Sequence, residues 1–336
     1  MAWETRWHPL RQEWVTITGH RNLRPWQGDV VSAEAITAPV YDPSCYLCPG
    51  NTRISGELND TYNGVFVFDN DHPAYGDSLE QPEKAPGIYA NQPANGVTRV
   101  LCYSPQHNLT MANMSQDELL GLMRAWQKQT AELRQREDIQ SVLIFENRGA
   151  AVGMSNPHPH CQVFAAPFVF NTLAQEARSQ ADYDGQSKDK SSLMAAMLAS
   201  EEQDGRRIIN QSDSMLAFVP YCARWPYETW IVPKTHYQFI DQLDQNSLAA
   251  LAVSLQDVLV RYRDLWPVDF PYILMLHQAP CQPGDLQDNF HFHIQLYPPL
   301  RQPGLIKMLG GVETGGGTFL NDRAPEQAAQ ELQAVC

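Results

Sequence analysis

The sequence has 336 residues, of which 43% are hydrophobic and 18% charged, and it carries a formal net charge of −14 at neutral pH. That length corresponds to roughly two domains of ~150 residues or to one duplicated unit, and the apolar content excludes wholesale disorder. A net-negative surface repels a phosphate backbone, so broad nucleic-acid binding is excluded, while a small phosphorylated substrate held by a few local cations is not.

The longest apolar run, Leu193 to Ala199, falls far short of the roughly 18 residues a membrane helix needs, so no membrane partner is expected. Met1 to Arg6 lacks the apolar stretch of a secretory signal. Seven cysteines, an odd number scattered from Cys45 to Cys336, point to a reducing, cytoplasmic setting with thiols free or bound to metal.

In chain order, the first 70 residues are rich in Pro and Trp and read as a decoration of the first half of the chain. Arg21 and Arg24 in His20–Gly28 are candidate phosphate cations, and equally read as solvated loop arginines. Cys45-x-x-Cys48 before Pro49-Gly50 is a knuckle whose two thiolates can take one tetrahedral ion. A short apolar strand from Val100 leads to His107. Ser115 with Glu118 three residues on is a capping box, and it opens a helix with Leu119, Met123, Trp126 and Leu133 on one face. Asn147-Arg148-Gly149 and Gly153-Met154-Ser155-Asn156 then bring glycines and donors suited to an anion. His158-Pro159-His160-Cys161-Gln162 comes next, and residues 171–213 form a polar connecting excursion with short helices.

The pattern then repeats. Trp230 to His236 is a second strand ending in histidine, and Asp244 caps a helix with Leu248, Leu251, Leu255, Val258, Leu259 and Tyr262 on one stripe. His291-Phe292-His293-Ile294-Gln295 is a second H-x-H-x-Q. The interval from His107 to His158 is 51 residues, and from His236 to His291 it is 55. Shared order, type and spacing predict an α+β (α/β) chain made of a duplicated unit, each copy having antiparallel strands with one long helix packed on them. The expected division is 1–170, a connector 171–213, and 214–336. Pro325 to Val335 reads as a closing helix with Pro325 in its first turn.

Two further ligands for the Cys45/Cys48 pair are available in His107 and His158. If the four converge, the site is closed and structural, with His158 as a pivot that leaves its strand neighbour His160 free. A neutral imidazole is nucleophilic at neutral pH. Gln162, on the same strand face as His160, can donate to a phosphoryl oxygen but cannot deliver a proton, which suits leaving groups that are already phosphates. In the second copy His277, His291 and His293 can meet in space with a carboxylate that spacing alone does not identify.

The run Phe145 to Gln162 resembles the signature of hexose-1-phosphate uridylyltransferases, the galactose-1-phosphate uridylyltransferase branch of the histidine-triad superfamily, and the likeness extends from Arg21 and Arg24 to His293. The resemblance implies that both copies are histidine-triad-like units and that His160 is a nucleophile that becomes uridylylated, with Gln162 and Ser155 on the transferring phosphoryl group. It implies structural Zn2+ on Cys45, Cys48, His107 and His158, and a second metal, Fe2+ or Zn2+, on Glu176, His277, His291 and His293. It further implies nucleotide contacts by Asn70, Asp71, Asn147 and Gly153, and a homodimer in which Arg21 and Arg24 reach across the interface. The implied reaction is a ping-pong exchange that moves UMP from UDP-glucose to galactose 1-phosphate, giving UDP-galactose and glucose 1-phosphate. Lys307 and Glu313 keep the family register among the substrate-binding positions. Val312 stands where a tyrosine is usual, the expected glutamine is missing, and Gly315–Gly317 is a departure. A sister enzyme, an ADP-glucose or dinucleoside polyphosphate phosphorylase, would share His160 and Gln162 and use another acceptor. A non-catalytic zinc-dependent module has no need of a free histidine two residues from a ligand histidine.

Overall fold

Period-two burial along strands and i, i+3/i+4 burial along helices decide which side chains meet. The structure, a computed structural model, describes residues 3–23, 38–184 and 192–335, so Arg24 and Cys336 lie outside the described residues. β1 (Trp3–His8) and β2 (Glu13–Thr18) form an antiparallel hairpin. The first half contributes β3 (Phe66–Asp69), β4 (Val97–Cys102), β5 (Ser141–Arg148) and β6 (His160–Ala166). The second contributes β7 (Ile208–Gln211), β8 (Met215–Phe218), β9 (Thr229–Pro233), β10 (Tyr272–His277) and β11 (His293–Tyr297). Among the described residues these nine strands form one sheet, ordered β3-β4-β6-β5-β10-β11-β9-β8-β7.

Outward from the β5–β10 contact the order reads β5, β6, β4, β3 on one side and β10, β11, β9, β8 on the other. All these pairings are antiparallel. The duplication therefore reaches the level of strand order, and the two expected sheets are halves of one, joined where Ile273 lies opposite Asn147.

Four longer helices follow in chain order: α1 (Gln116–Leu133), α2 (Asn171–Asp184), α3 (Leu193–Asp204) and α4 (Gln245–Leu265). The Ser115 hydroxyl accepts from Glu118 N–H at 3.3 Å while Ser115 N–H donates to the Glu118 carboxylate at 2.8 Å, as the capping box predicts. Asp244 caps α4 through Ser247 N–H at 2.7 Å. The predicted stripes of α1 and α4 are buried, and with Cys161, Val163, Leu274, Leu276, Ile294 and Leu296 they build the main core on one face of the sheet. Each such Leu or Val contributes about 1.5–3 kcal/mol of apolar burial.

The opposite face is treated differently in the two halves. On the second, α3 and Leu10 pack against Leu216, Phe218, Trp230 and Val232, while Leu173 and Ala177 of α2 pack with Phe290. On the first, the Cys45–Cys48 segment covers Val100 and Cys102 together with Tyr62, Phe66 and Phe68, while Phe145, Gln162 and Phe164 remain half-buried.

The sequence reading puts the first 70 residues on the first copy, but the hairpin docks on the second. Leu10 is fully buried beside Trp230, and Arg6 pairs with Glu326 at 2.9 Å. After the small hairpin of β12 (Leu300–Gln302) and β13 (Leu305–Ile306), β14 (Leu320–Asn321) pairs in parallel with β2. Composition cannot report which half presents the complementary surface. The closing helix, Pro325–Gln333, starts with Pro325 as expected.

Candidate active site

The four Cys/His ligand atoms predicted to converge do so: those of Cys45, Cys48, His107 and His158 all lie within 4.8 Å of one another, and all four residues are buried. Cys48 Sγ is 3.6 Å from His107 Nδ1 and 3.5 Å from His158 Nδ1. A zinc tetrahedron with bonds of about 2.3 Å to sulfur and 2.0–2.1 Å to nitrogen has S···N edges of about 3.6 Å, the length of these two edges. The knuckle backbone is pinned by Asn51, which donates to the Cys45 carbonyl at 2.7 Å, and by Asn59, which donates to the Cys48 carbonyl at 3.1 Å. His158 Nε2–H donates to the Ser104 carbonyl at 3.1 Å and lies 2.8 Å from the Tyr62 hydroxyl. That leaves the Nδ1 lone pair facing the sulfurs. Burial pushes the Cys48 thiol up to about 11 and the His158 imidazole down to about 3; a bound cation favours the thiolate and the neutral ring.

His160 begins β6 two residues later. Its Nδ1 lies 2.7 Å from the His158 carbonyl oxygen. A carbonyl only accepts, so Nδ1 carries the proton and Nε2 the lone pair. Among the described residues Nε2 has no hydrogen-bond or ionic partner, and the ring is half-buried on the open face. Burial lowers its pKa, which keeps it neutral.

Strand register lays out the surroundings. His160 lies level with Cys102 and Phe66; Gln162 lies level with Val100 and Phe68 on one side and Phe145 on the other. One row further, Asn70 N–H donates to the Thr98 carbonyl at 2.9 Å, level with Phe164. The result is an aromatic-lined platform with Gln162 in its middle and His160 at one end. Asp71, beyond Asn70, accepts from Ser55 N–H at 3.3 Å and lies 3.7 Å from the Arg53 guanidinium. Asn147, two residues beyond Phe145 on β5, lies by register beside His160.

The loop after β5 reaches back to the same end. Gly149 has φ 98° and Gly153 φ 86°, and Gly153 and Ser155 are exposed. Asn156 accepts from His158 N–H at 2.9 Å, fixing the approach to the histidine pair. Behind the sheet, buried Glu146 accepts from Tyr103 OH at 2.7 Å and Tyr272 OH at 3.1 Å, which ties the two halves together beneath the loop. Spacing gave no sign of this tie or of the Tyr62 contact.

Other predicted residues make no contact with this platform among the described residues. Arg21 is exposed. Lys307 Nζ pairs with Glu313 at 2.8 Å and donates to the Leu320 carbonyl at 2.6 Å, within about 6 Å of the Trp225 and Phe319 rings. None of those partners belongs to β6.

The second predicted cluster forms in part. Ligand atoms of Glu176, His277 and His293 lie within 4.8 Å of one another, fully buried, in an arrangement that could hold an ion. His291 is not in that group: its Nε2 donates to the Pro233 carbonyl at 2.7 Å, its Nδ1 has no hydrogen-bond partner among the described residues, and its ring packs against His236. Arg11, which nothing in the sequence singled out, places its guanidinium 3.1 Å from Glu176. Burial alone would raise the Glu176 carboxyl, but the charges of His277 and Arg11 outweigh it and hold it well below the usual carboxylate range.

Two family models cover the chain: galactose-1-phosphate uridyl transferase, N-terminal domain, over residues 1–169, and its C-terminal domain over residues 176–336. The galactose-1-phosphate uridylyltransferase of Haemophilus influenzae is 38% identical over 332 residues, covering 98% of this chain and 93% of that protein. That of Rattus norvegicus is 36% identical, covering 98% and 87%. A solved uridylyltransferase structure superposes with a TM-score of 0.78 at 26% identity, covering 99% of this chain and 98% of that one. An ADP-glucose phosphorylase of Arabidopsis thaliana shares the fold, with a TM-score of 0.78 at 23% identity over 100% of this chain and 99% of that one. The chain belongs to the galactose-1-phosphate uridylyltransferase family, a family of transferase enzymes.

Proposed function

We propose that this enzyme moves a uridylyl group from UDP-glucose to a hexose 1-phosphate, galactose 1-phosphate by family, through a covalent adduct on His160. The observation that carries the reading is the His160 ring itself. Nδ1 is committed to the His158 carbonyl, and Nε2 bears a lone pair without a partner among the described residues, on the open face.

In the first half-reaction Nε2 attacks the α-phosphorus of UDP-glucose. The N–P bond forms, the P–O bond to glucose 1-phosphate breaks, and the electron pair leaves with that phosphate oxygen. No proton has to be delivered, which is why glutamine suffices at position 162. The Nδ1 proton stays on the ring, and the His158 carbonyl faces the positive charge that develops there. In the second half-reaction a phosphate oxygen of the acceptor attacks the same phosphorus, the N–P bond breaks, and UDP-galactose leaves with His160 restored. Gln162 and Ser155 donate to the phosphoryl oxygens. The aromatic platform takes the uracil, with Asn70, Asp71, Asn147 and Gly153 around the nucleotide.

Zinc on Cys45, Cys48, His107 and His158 would be structural, closing the fourfold cage and so fixing the carbonyl that aims His160. The chain acts as a homodimer in which Arg21, Arg24, Lys307 and Glu313 complete the site of the second copy; the pairing of Lys307 with Glu313 at 2.8 Å, and not with His160, supports this reading. We propose the division 1–170, 171–213 and 214–336, and a cytoplasmic enzyme; no described helix is long and apolar enough to cross a membrane.

The test is intact-mass measurement after mixing the zinc-loaded protein with UDP-glucose alone. A gain of one uridylyl group that is absent in His160→Asn is expected, and no gain in a metal-replete sample would overturn the proposal. Labelling by ADP-glucose in place of UDP-glucose would favour the sister phosphorylase, to which the Val312 and Gly315–Gly317 departures also bear. A panel of galactose, glucose and N-acetylhexosamine 1-phosphates and inorganic phosphate on the labelled enzyme identifies the acceptor.

A further inference from the structure

The two histidine clusters differ in what stands inside them. In the cysteine cluster the thiol and imidazole atoms face one another across distances of 3.5 and 3.6 Å, the edges of a metal tetrahedron. In the second cluster the separations are uneven. His277 Nδ1 is 2.7 Å from Glu176 Oε2, a direct hydrogen bond, and His293 Nε2 is 4.0 Å from the same oxygen. Ligand atoms at metal bonds of 2.0–2.2 Å would stand about 3.3–3.5 Å apart.

The space between those ligands is occupied by protein. The Gln295 amide nitrogen donates to His293 Nε2 at 2.7 Å and lies 3.4 Å from Glu176 Oε1. The only lone pair His293 has to offer is therefore taken, because its Nδ1–H already donates to the His291 carbonyl at 2.8 Å. The Gln295 carbonyl oxygen in turn accepts from Tyr297 OH and from Arg11 Nη2, the latter at 3.4 Å. Arg11 Nη2 also donates to Tyr297 OH at 3.2 Å, and its Nε lies 3.1 Å from Glu176 Oε1. His291, the fourth residue expected at this cluster, faces His236 instead.

Arg11 reaches this place by construction. It sits at the tip of the β1–β2 hairpin, where Gln12 adopts φ 54° and Gln12 N–H closes on the His8 carbonyl at 2.9 Å. Leu10 anchors the tip in the apolar cluster around Trp230, and His8 accepts from Arg11 N–H at 3.2 Å while its ring packs on Trp230. A guanidinium supplies one positive charge and a fork of donors to a buried carboxylate, which is what Glu176 needs in order to be buried as an anion. A divalent ion added beside it would face a fixed cation across the same carboxylate.

We infer that the Glu176–His277–His293 cluster is not a metal site in this protein: the Arg11 guanidinium takes the place of the second ion, and the chain binds a single metal at the cysteine cluster. The plugged hairpin tip also explains why the second H-x-H-x-Q has no open face. This holds whichever sugar phosphate the enzyme uses.

The test is metal stoichiometry. Purified protein is incubated with excess zinc, and separately with ferrous iron without oxygen, then desalted and analysed for metal per chain. One equivalent is expected, with an X-ray absorption spectrum of the zinc form fitted by sulfur and nitrogen neighbours alone. A second equivalent with an oxygen-and-nitrogen shell that disappears in Glu176→Gln would overturn the inference. Arg11→Met provides an independent reading without metal: it is expected to melt well below wild type, with Arg11→Lys between the two. An Arg11→Met protein as stable as wild type would equally overturn the role given to the guanidinium.

Discussion

His160 and His293 are oriented by the same local bond. The Nδ1 of each meets the carbonyl oxygen of the histidine two residues before it, at 2.7 Å for His160 and 2.8 Å for His293. The preceding histidines repeat the likeness: His107–His158 and His236–His291 have ring centroids 5.5 and 5.2 Å apart, each pair tilted by 61°. What separates the two copies is the other ring nitrogen, open in His160 and bonded to Gln295 in His293.

The two histidines should therefore fail in different ways. His160→Asn removes the proposed nucleophile and is expected to abolish uridylyl labelling and lower turnover by roughly 10³-fold or more, with little change in melting temperature. His293→Asn leaves a buried amide short of its acceptor, a cost of about 1–3 kcal/mol, and should lower the melting temperature while labelling by UDP-glucose survives. Intact mass and thermal melts on both variants decide the matter, and the opposite pairing of outcomes would refute the division of labour.

Much of this was legible in the sequence. The H-x-H-x-Q repeats, the Ser115–Glu118 box, the Asp244 cap and the two helical stripes depend on local order, and local order is what period and spacing record. Convergence of Cys45, Cys48, His107 and His158 was open to view as an option because thiol and imidazole have few other reasons to recur at those intervals. The Arg11–Glu176 contact was hidden, since it joins a turn near the start of the chain to a helix past its middle, and neither residue type is unusual in its own segment. The edge-to-edge union of β5 with β10 was equally invisible: Asn147 opposite Ile273 is a fact of tertiary packing. So was the docking of the hairpin on the second half.

If His160 carries the transfer as proposed, burial sets the pH response of that step. It lowers the His160 pKa from the ordinary ~6.5, so the ring keeps its lone pair throughout the neutral range. The rate of the first half-reaction should be flat from about pH 8 through 6.5 and fall only at lower pH, as protonation removes the nucleophile. The sign for folding comes from linkage: below ~6.5 the unfolded ring binds a proton that the folded ring does not, so this group makes stability decline as pH drops. Rapid-quench measurement of glucose 1-phosphate release isolates the first half-reaction from titration of the acceptor phosphate. A descending limb centred above pH 7 would be incompatible with an imidazole whose pKa is lowered.

Gly149 is required by geometry rather than by chemistry. Its φ of 98° is a left-handed conformation, and a Cβ there would stand 2.7 Å from Pro271 Cβ, just before β10. Gly149→Ala should cost about 1–3 kcal/mol through strain and overlap and loosen the loop carrying Ser155. Gly153 also has positive φ, but nothing lies within 4 Å of its would-be Cβ, so Gly153→Ala should be the milder of the two for stability. Parallel thermal melts test the ranking, and a Gly149→Ala protein melting with wild type would show that the β5–β10 junction can yield.

The sharpest test of the dimer is complementation between two dead variants. Within one copy, Arg21 is exposed and the Lys307–Glu313 pair is held by Leu320, Trp225 and Phe319, away from the strand of His160. If these groups complete the second copy's site, each site draws on both chains. His160→Asn and Arg21→Ala should then both be nearly inactive alone. A mixed dimer has one site carrying both lesions and one carrying neither, so mixing after mild dissociation should restore about half of the wild-type activity per mixed dimer. Were Arg21 to serve the His160 of its own chain, every site in the mixture would carry one lesion and no activity would return. Recovery that tracks the fraction of mixed dimer, measured with differently tagged chains, therefore separates a shared site from a self-contained one.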